Sequence, residues 1–238
     1  MTDLTETYAV IVNQKIRMIA DTQKEVIQKA AEAFYQCTIN SHKIYFFGTG
    51  HSYMMSQEAF GRAGGYAGNN FVPILEDELS MNDVIKSTYI ERIAEYSNVI
   101  LGLYHFMPGD AIVITSNSGR NALIVELALR LHKMGVFIIA ITSSSEKVSS
   151  RHDSGKKLCD LADIVIDNQS AYGDAAVELS NHEMTGSTST ITGAFIMNAV
   201  VAEFLEKLAD NQQPCPVFKS SNIDDGDAHN KEYFKRLK

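Results

Sequence analysis

The stretch Lys43-Ile44-Tyr45-Phe46-Phe47-Gly48-Thr49-Gly50-His51-Ser52 decides the predicted fold. It starts as a short run of aromatic and branched side chains, which favours a buried β-strand over a helix. After Ser52, apolar residues recur at helical spacing up to Gly64-Gly65, so we expect a helix there. The glycine-rich loop therefore lies between a strand and a helix N-terminus, where free backbone N–H groups and the helix dipole favour an anion.

A second strand–loop–helix unit follows at residues 111–133, with the polar loop Ser116-Asn117-Ser118-Gly119-Arg120-Asn121 in its middle. Residues 136–142 form a continuous apolar run, which is typical of a parallel strand covered on both faces. Residues 71–75 and 164–167 are further strand candidates, and Pro73 places the first of them at a sheet edge or strand end. The alternation predicts an α/β fold, a three-layer, doubly wound sheet of about five parallel strands.

Length and composition indicate one domain with added segments, since 238 residues of which 45% are hydrophobic can form a sizeable core. We divide the chain into an N-terminal helical segment (residues 1–42), a ligand-binding core (43–210) and a polar C-terminal tail (211–238). The helical pattern breaks near Asp21-Thr22, where a second helix can begin. We expect the tail to be irregular and to wrap the surface.

The net charge of −8 has the wrong sign for a nucleic-acid or anionic-membrane partner. No stretch approaches about 18 uninterrupted apolar residues, and the N-terminus lacks the pattern of a signal peptide, so we expect a cytoplasmic protein. Cys37, Cys159 and Cys215 lack the paired spacing of a zinc site or of a disulfide framework. We expect buried or incidental thiols, with a redox or catalytic role as the alternative, and no metal or cofactor.

The loop after the first strand begins like a dinucleotide-binding fingerprint, but Tyr53 stands where the third glycine would be. No Walker lysine follows either loop. A phosphate monoester remains, which hydroxyl groups and backbone N–H groups can bind without a cation. Each serine-rich turn could be only a helix cap, but a parallel sheet brings three such loops together, which favours binding. The hydroxyl donors are Ser52, Ser116, Ser118, Ser187, Thr188 and Ser189.

The motif Gly48-x-Gly50-x-Ser52 and the second loop, residues 115–121, resemble the two signature loops of the SIS (sugar isomerase) domain, the second being the more specific. The resemblance covers roughly residues 5 to 210. It implies a flavodoxin-like five-stranded parallel sheet, a phosphosugar ligand, and a homodimer or homotetramer with sites near subunit interfaces. The phosphosugar-binding residues that it implies are Gly50, Ser52, Ser116, Asn117, Ser118, Gly119, Asn121, Ser187, Thr188 and Ser189.

The position of the family's catalytic base does not hold an acid in this chain. Phosphoheptose isomerases and N-acetylmuramic acid 6-phosphate etherases carry a glutamate on the first helix where this chain has Arg62. Hexulose-6-phosphate isomerases also have arginine there and take their glutamate from the third motif. Glu183 and Glu58 are the acids best placed to substitute. The histidine candidates for opening a sugar ring are His51, His182 and His229.

The expected function is that of an aldose–ketose phosphosugar isomerase, which works by general acid–base catalysis. One alternative is a non-catalytic phosphosugar sensor that acts through a partner protein, because Arg62 replaces the family's glutamate. A further alternative is an etherase or lyase, because Gly186-Ser187-Thr188 is similar to the third motif of the etherases.

Overall fold

The computed structural model describes residues 3–236 and contains a five-stranded, fully parallel sheet. The strand order is β2-β1-β3-β4-β5, which is the flavodoxin-like doubly wound order, so the predicted fold class is confirmed. The strands are β1 (Ile44–Gly48), β2 (Phe71–Pro73), β3 (Ala111–Thr115), β4 (Phe137–Thr142) and β5 (Ile164–Asp167).

Helices cover both faces of this sheet. They are α1 (Leu4–Thr22), α2 (Lys24–Ile39), α3 (Tyr53–Glu58), α4 (Val84–Ile90), α5 (Ser97–Leu103), α6 (Ala122–Lys133), α7 (Ser189–Asp210) and α8 (Gly226–Arg236). Helices α1, α2 and α7 share one hydrophobic cluster with the sheet, and α5 and α6 share the other. A single residue, Gln23, separates α1 from α2, which confirms the predicted break. Within residues 3–236, no helix is both long and apolar enough to span a bilayer.

The two faces of β1 explain why its sequence is apolar throughout. Ile44 and Phe46 belong to the cluster with α2 and α7, whereas Tyr45 and Phe47 belong to the cluster with α5 and α6. Side chains alternate across a strand, so a strand covered on both faces needs an unbroken apolar run. Phe34 of α2 is fully buried. Its ring lies 5.9 Å from Phe46, 5.5 Å from Phe71 and 5.9 Å from Phe204, between ring centroids.

Strand β2 lies at the edge of the sheet and pairs only with β1 in it, as Pro73 predicts. In the centre of the sheet, Gly48 at the end of β1 lies opposite Thr115 at the end of β3. The loops after these two strands therefore leave the sheet side by side. This register brings the two predicted binding loops to one place.

Two local expectations were wrong. The helix after the first loop ends at Glu58 instead of Gly64-Gly65, and the segment that follows it pairs with the tail. The Gly64 N–H donates to the Phe218 carbonyl at 2.7 Å, and the Phe218 N–H donates to the Gly65 carbonyl at 3.0 Å. The tail is also not irregular, because it contains the 11-residue helix α8.

The tail folds back onto its own chain through a buried asparagine. Asn230 is 1% exposed and bonds both the N–H and the carbonyl of Lys219, at 3.0 and 2.7 Å. This pair of bonds ties α8 to the segment that holds the loop after α3. The predicted segments 1–42 and 211–238 each include two residues, 1–2 and 237–238, that lie outside the described ones.

Candidate functional site

The loop after β1 requires glycine for a steric reason. A Cβ atom on Gly48 would lie 2.3 Å from the carbonyl oxygen of Ser52, far inside contact distance, because the chain folds back directly over the strand end. The Ser52 N–H donates to the Thr49 carbonyl at 3.1 Å, and α3 begins at the next residue. This tight turn holds the side chains of His51 and Ser52 at the carboxyl edge of the sheet.

A narrow cleft opens at this edge, between the loops that follow β1, β3 and β5 and the N-terminus of α7. It is lined by His51, Ser52, Met55, Thr115, Asn117, Asn168, Ser189 and Thr190. Open α/β sheets bind ligands beyond the carboxyl ends of their strands, near the point where the strand order reverses. Within residues 3–236, the side chains of His51, Ser52 and Thr190 form no hydrogen bond. These groups can therefore donate to a ligand.

In the loop after β3, some polar groups form hydrogen bonds within the chain and others remain free for a ligand. Gly119 has a φ of +60°, a conformation that favours glycine, and its N–H donates to Ser116 Oγ at 3.2 Å. Asn117 Oδ1 accepts from Asn168 Nδ2 at 3.0 Å and from Ser170 Oγ at 2.6 Å, so it fastens the loop after β5. The hydroxyl of Ser118 forms no hydrogen bond with the described residues and is available to a ligand.

The third hydroxyl cluster is occupied by a carboxylate of the chain itself. Asp174 Oδ1 accepts from the Thr188 N–H at 3.0 Å and from the Ser189 N–H at 2.9 Å. Its Oδ2 accepts from the hydroxyls of Ser187, at 2.9 Å, and of Ser189. In this conformation Asp174 takes the place at the N-terminus of α7 that the sequence assigned to a phosphate.

The five predicted catalytic residues lie in different places, and only His51 lines the cleft. Glu58 forms an ion pair with Arg62 at 2.8 Å and accepts from Asn198 Nδ2 at 2.8 Å.

His182 and Glu183 lie on the exposed turn of a small hairpin formed by β6 (Val177–Glu178) and β7 (Met184–Thr185), with His182 Nδ1 2.7 Å from Glu178 Oε1. His229 lies in the tail, where its Nε2 bonds the Val217 carbonyl at 2.9 Å. Four of the five are thus held by contacts outside the cleft or exposed on the hairpin.

One acid that the sequence did not single out joins the loop after β1 to the first turn of α6. Glu91 follows α4, and its Oε2 accepts from Thr49 Oγ1 at 2.9 Å, while its carbonyl accepts from the Leu123 N–H in the first turn of α6 at 3.2 Å. Burial raises the pKa of the Glu91 carboxyl, and Thr49, Arg151, Arg92 and Asn121 oppose that rise. A glutamate just after a short helix has no local sequence signal that separates it from a solvated one.

A larger cavity, of about 710 Å³, opens at the other end of the sheet, near the start of β4. Its lining is mainly apolar and includes Cys37, Val136 and Phe137. Burial raises the pKa of the Cys37 thiol to about 11, so this thiol is not an activated nucleophile. The cavity lacks the convergent hydroxyl groups of the cleft, and we place the candidate site at the cleft.

Comparison with known proteins gives matches in sequence and in fold. A family model described as the SIS domain matches residues 7–143. The UPF0309 protein of Halalkalibacterium halodurans is 40% identical over 238 residues, which cover 98% of this chain and 98% of that protein.

Two solved structures share the fold at low identity. The phosphoheptose isomerase GmhA of Neisseria gonorrhoeae superimposes with a TM-score of 0.55 at 18% identity, covering 84% of this chain and 97% of that one. The NanR protein of Vibrio vulnificus, solved in complex with ManNAc-6P, has a TM-score of 0.53 at 13% identity, covering 89% of this chain and 66% of that one. One of these neighbours is named as an isomerase, and the other was solved with a sugar phosphate bound.

Proposed function

The chain belongs to the SIS domain family, and on that premise we propose that it binds a phosphosugar and interconverts its aldose and ketose forms. The observation that carries this proposal is the position of Glu91, an acid with a raised pKa that contacts both the loop after β1 and the N-terminus of α6. A carboxyl group whose pKa is raised by burial is a candidate acid–base catalyst when it lies near a ligand crevice.

The unpaired donors of the cleft fit the phosphate end of such a ligand. Ser52 and Ser118 present hydroxyls that the chain leaves free, and Gly50 and Gly119 give the two loops backbone shapes that let a ligand approach closely. Ser116, Asn117 and Asn121 shape the second loop through their own bonds. We propose that the phosphate binds between the first two loops.

Isomerisation moves a proton between C2 and C1 of the sugar and needs a base beside that carbon, together with a group that protonates oxygen. Glu91 is not among the residues that line the closed cleft, and we propose that it serves as the base once the cleft widens, because it joins the loop after β1 to the first turn of α6. His51 lies in the cleft and has no hydrogen-bond partner in the described chain, so it is placed to move the proton that opens the ring. Glu58 is paired with Arg62 and bonded to Asn198, and it does not line the cleft.

The cleft has to widen before a sugar enters, because it encloses only about 10 Å³ here, whereas ligand pockets commonly measure about 300–1,000 Å³. The bonds from Asp174 to the N-terminus of α7 hold one wall of the cleft in place. We propose that ligand entry moves this wall. A homodimer or homotetramer in the cytoplasm belongs to the same proposal, and light scattering of the purified protein together with cell fractionation tests that part.

The decisive experiment is proton NMR of the protein with a panel of sugar 6-phosphates in deuterated water. We expect loss of the C1 and C2 proton signals for the true substrate, since isomerisation removes a proton beside the carbonyl. E91Q should slow this exchange about 100-fold or more. Glu95, an exposed glutamate four residues further on, supplies the matched control E95Q, which should exchange at the wild-type rate.

The other outcomes separate the alternatives. If E91Q exchanges as fast as wild type while H51Q does not, Glu91 is not the base. Release of lactate from N-acetylmuramic acid 6-phosphate would instead indicate a lyase.

A phosphosugar sensor is the second candidate, and the carboxylate of Asp174 in the third hydroxyl cluster favours it, because a site closed in the free state can report on ligand entry. The same fold occurs in the NanR protein complexed with ManNAc-6P. A ligand that raises the melting temperature of this protein without any proton exchange would support the sensor and exclude the isomerase.

A further inference from the structure

Three arginines meet at the N-terminus of α6, beside the second binding loop. Arg120 belongs to that loop, and its carbonyl accepts from the Arg151 N–H at 2.8 Å. Arg151 Nη1 donates to Asn121 Oδ1 at 2.8 Å, at the residue that precedes α6. Arg92 follows Glu91, whose carbonyl is bonded to the first turn of the same helix. Three separate segments of the chain thus meet at one helix end, and the charges of Arg120 and Arg92 act on the guanidinium group of Arg151 there.

These three arginines form no ion pair within the described part of the chain. Within residues 3–236, no carboxylate forms an ion pair with Arg92, Arg120 or Arg151, although the chain carries 29 acidic residues. The Nε atom of Arg120 is buried and has no hydrogen-bond partner. Glu91 is near enough to Arg151 and Arg92 for their charges to lower its pKa, against the larger effect of burial, which raises it. Burial first, and then Arg120 and Arg92, lower the pKa of Arg151, as expected for crowded like charges.

We infer that Arg92, Arg120 and Arg151 form a subsite for an anionic group of the ligand, distinct from the phosphate held by the hydroxyl loops. Guanidinium groups bind carboxylates and phosphates through paired, charge-assisted hydrogen bonds. An anion here would supply the partner that the buried Nε of Arg120 lacks and relieve the mutual repulsion of the three side chains.

This inference rests on the proposed function and specifies its substrate class further. Arg120 and Ser118 are two residues apart, so their Cα atoms are separated by at most about 7 Å. One sugar molecule can therefore place its phosphate on the serine loop and a second anionic group on the arginines. The ligand is a sugar phosphate that also carries a carboxylate or a second phosphate.

Calorimetry with a matched pair of ligands tests this. 6-Phosphogluconate and glucitol 6-phosphate share the carbon chain and the phosphate and differ at C1, which is a carboxylate in the first and an alcohol in the second. We expect the intact protein to bind 6-phosphogluconate about tenfold more tightly. A parallel pair, fructose 1,6-bisphosphate and fructose 6-phosphate, shows whether a phosphate is preferred to a carboxylate.

Variants assign the preference to the arginines. R120Q and R151Q should each reduce the ratio to about threefold or less, because the affinity for 6-phosphogluconate falls by more than the affinity for glucitol 6-phosphate. R17Q is the control, because it removes the same charge from an exposed position on α1. R151K guards against misfolding, because it keeps the charge without the paired geometry, and it should retain part of the preference. The preference of wild type should also fall with added salt.

The outcomes are distinguishable. If both monophosphates bind but neither doubly anionic ligand binds more tightly, the arginine subsite is wrong and the phosphosugar proposal stands. If the preference persists in both R120Q and R151Q, the subsite is also wrong. If no member of either pair binds, the phosphosugar proposal fails, and the subsite fails with it.

Discussion

Replacing Asp174 by alanine tests how the third hydroxyl cluster is held. The carboxylate accepts two backbone N–H groups, from Thr188 and Ser189, and the hydroxyls of the same cluster. Loss of a helix-capping acceptor costs about 0.5–2 kcal/mol, and loss of a negative charge at a helix N-terminus costs about 0.3–1 kcal/mol. Thr188 is fully buried, so its N–H is left without an acceptor or water. We expect D174A to lower the free energy of unfolding by about 2–3 kcal/mol.

The assay is thermal unfolding with and without inorganic phosphate, at matched ionic strength. For a chain of this length, a loss of 2–3 kcal/mol corresponds to a fall of about 4–12 °C in melting temperature. Phosphate can take the vacated place at the start of α7, and a ligand present at about 100 times its Kd adds about 2.7 kcal/mol. Phosphate should therefore raise the melting temperature of D174A by several degrees more than that of wild type.

The exposed Asp153 supplies the control, because D153A removes the same charge from a loop where the carboxylate makes no hydrogen bond with residues 3–236. D153A should have the same melting temperature as wild type. Asp174 does not hold the start of α7 if D174A has the melting temperature of wild type, or if phosphate raises both melting temperatures by the same amount.

Three further predictions concern a buried acid, a thiol and the core. Burial raises the pKa of Glu91 above 4.5, so the folded chain keeps a proton that the unfolded chain loses. The stability of wild type should therefore fall as the pH rises from about 4.5 through the raised pKa. E91Q lacks this loss, so its melting temperature should rise relative to that of wild type over the same pH range. Burial raises the pKa of Cys37 to about 11, so a disulfide reagent at about pH 8 should label the exposed Cys159 quickly and leave Cys37 unlabelled. C159S should therefore remove the fast phase of labelling. F34A should cost about 3–5 kcal/mol in denaturant titration, against less than about 1 kcal/mol for Y89A, whose ring is 66% exposed; equal losses would contradict the proposed core.

Much of the fold could be predicted because it depends on patterns that are local in the chain. The apolar runs that became β1, β3 and β4 must be apolar wherever both faces of a parallel strand are covered. Pro73 predicted an edge strand, since a residue without an N–H cannot complete a central ladder. Parallel topology then implies that the loops after β1 and β3 meet at one edge, and the register of Gly48 with Thr115 confirms this.

The partners of the polar side chains could not be predicted in the same way. Ser187 to Ser189 has the sequence of an anion-binding turn, but Asp174 fills it from 13 to 15 residues away. Glu91 contacts Thr49, 42 residues before it, and Leu123, 32 residues after it, and nothing near it in the sequence indicates either contact. His229 was a catalytic candidate by residue type, and its ring bonds the Val217 carbonyl in a tail that folds onto the loop after α3.

The sequence by itself therefore determined the layers, the strands and the edge at which the candidate site lies, because the spacing of apolar residues decides which faces are buried. The tertiary structure alone decided which hydroxyls remain free, which acid joins the loop after β1 to α6, and which arginines form no ion pair with the described residues. A hydrogen bond or an ion pair depends on distances of a few tenths of an ångström between atoms that packing brings together, and no spacing along the chain encodes those distances.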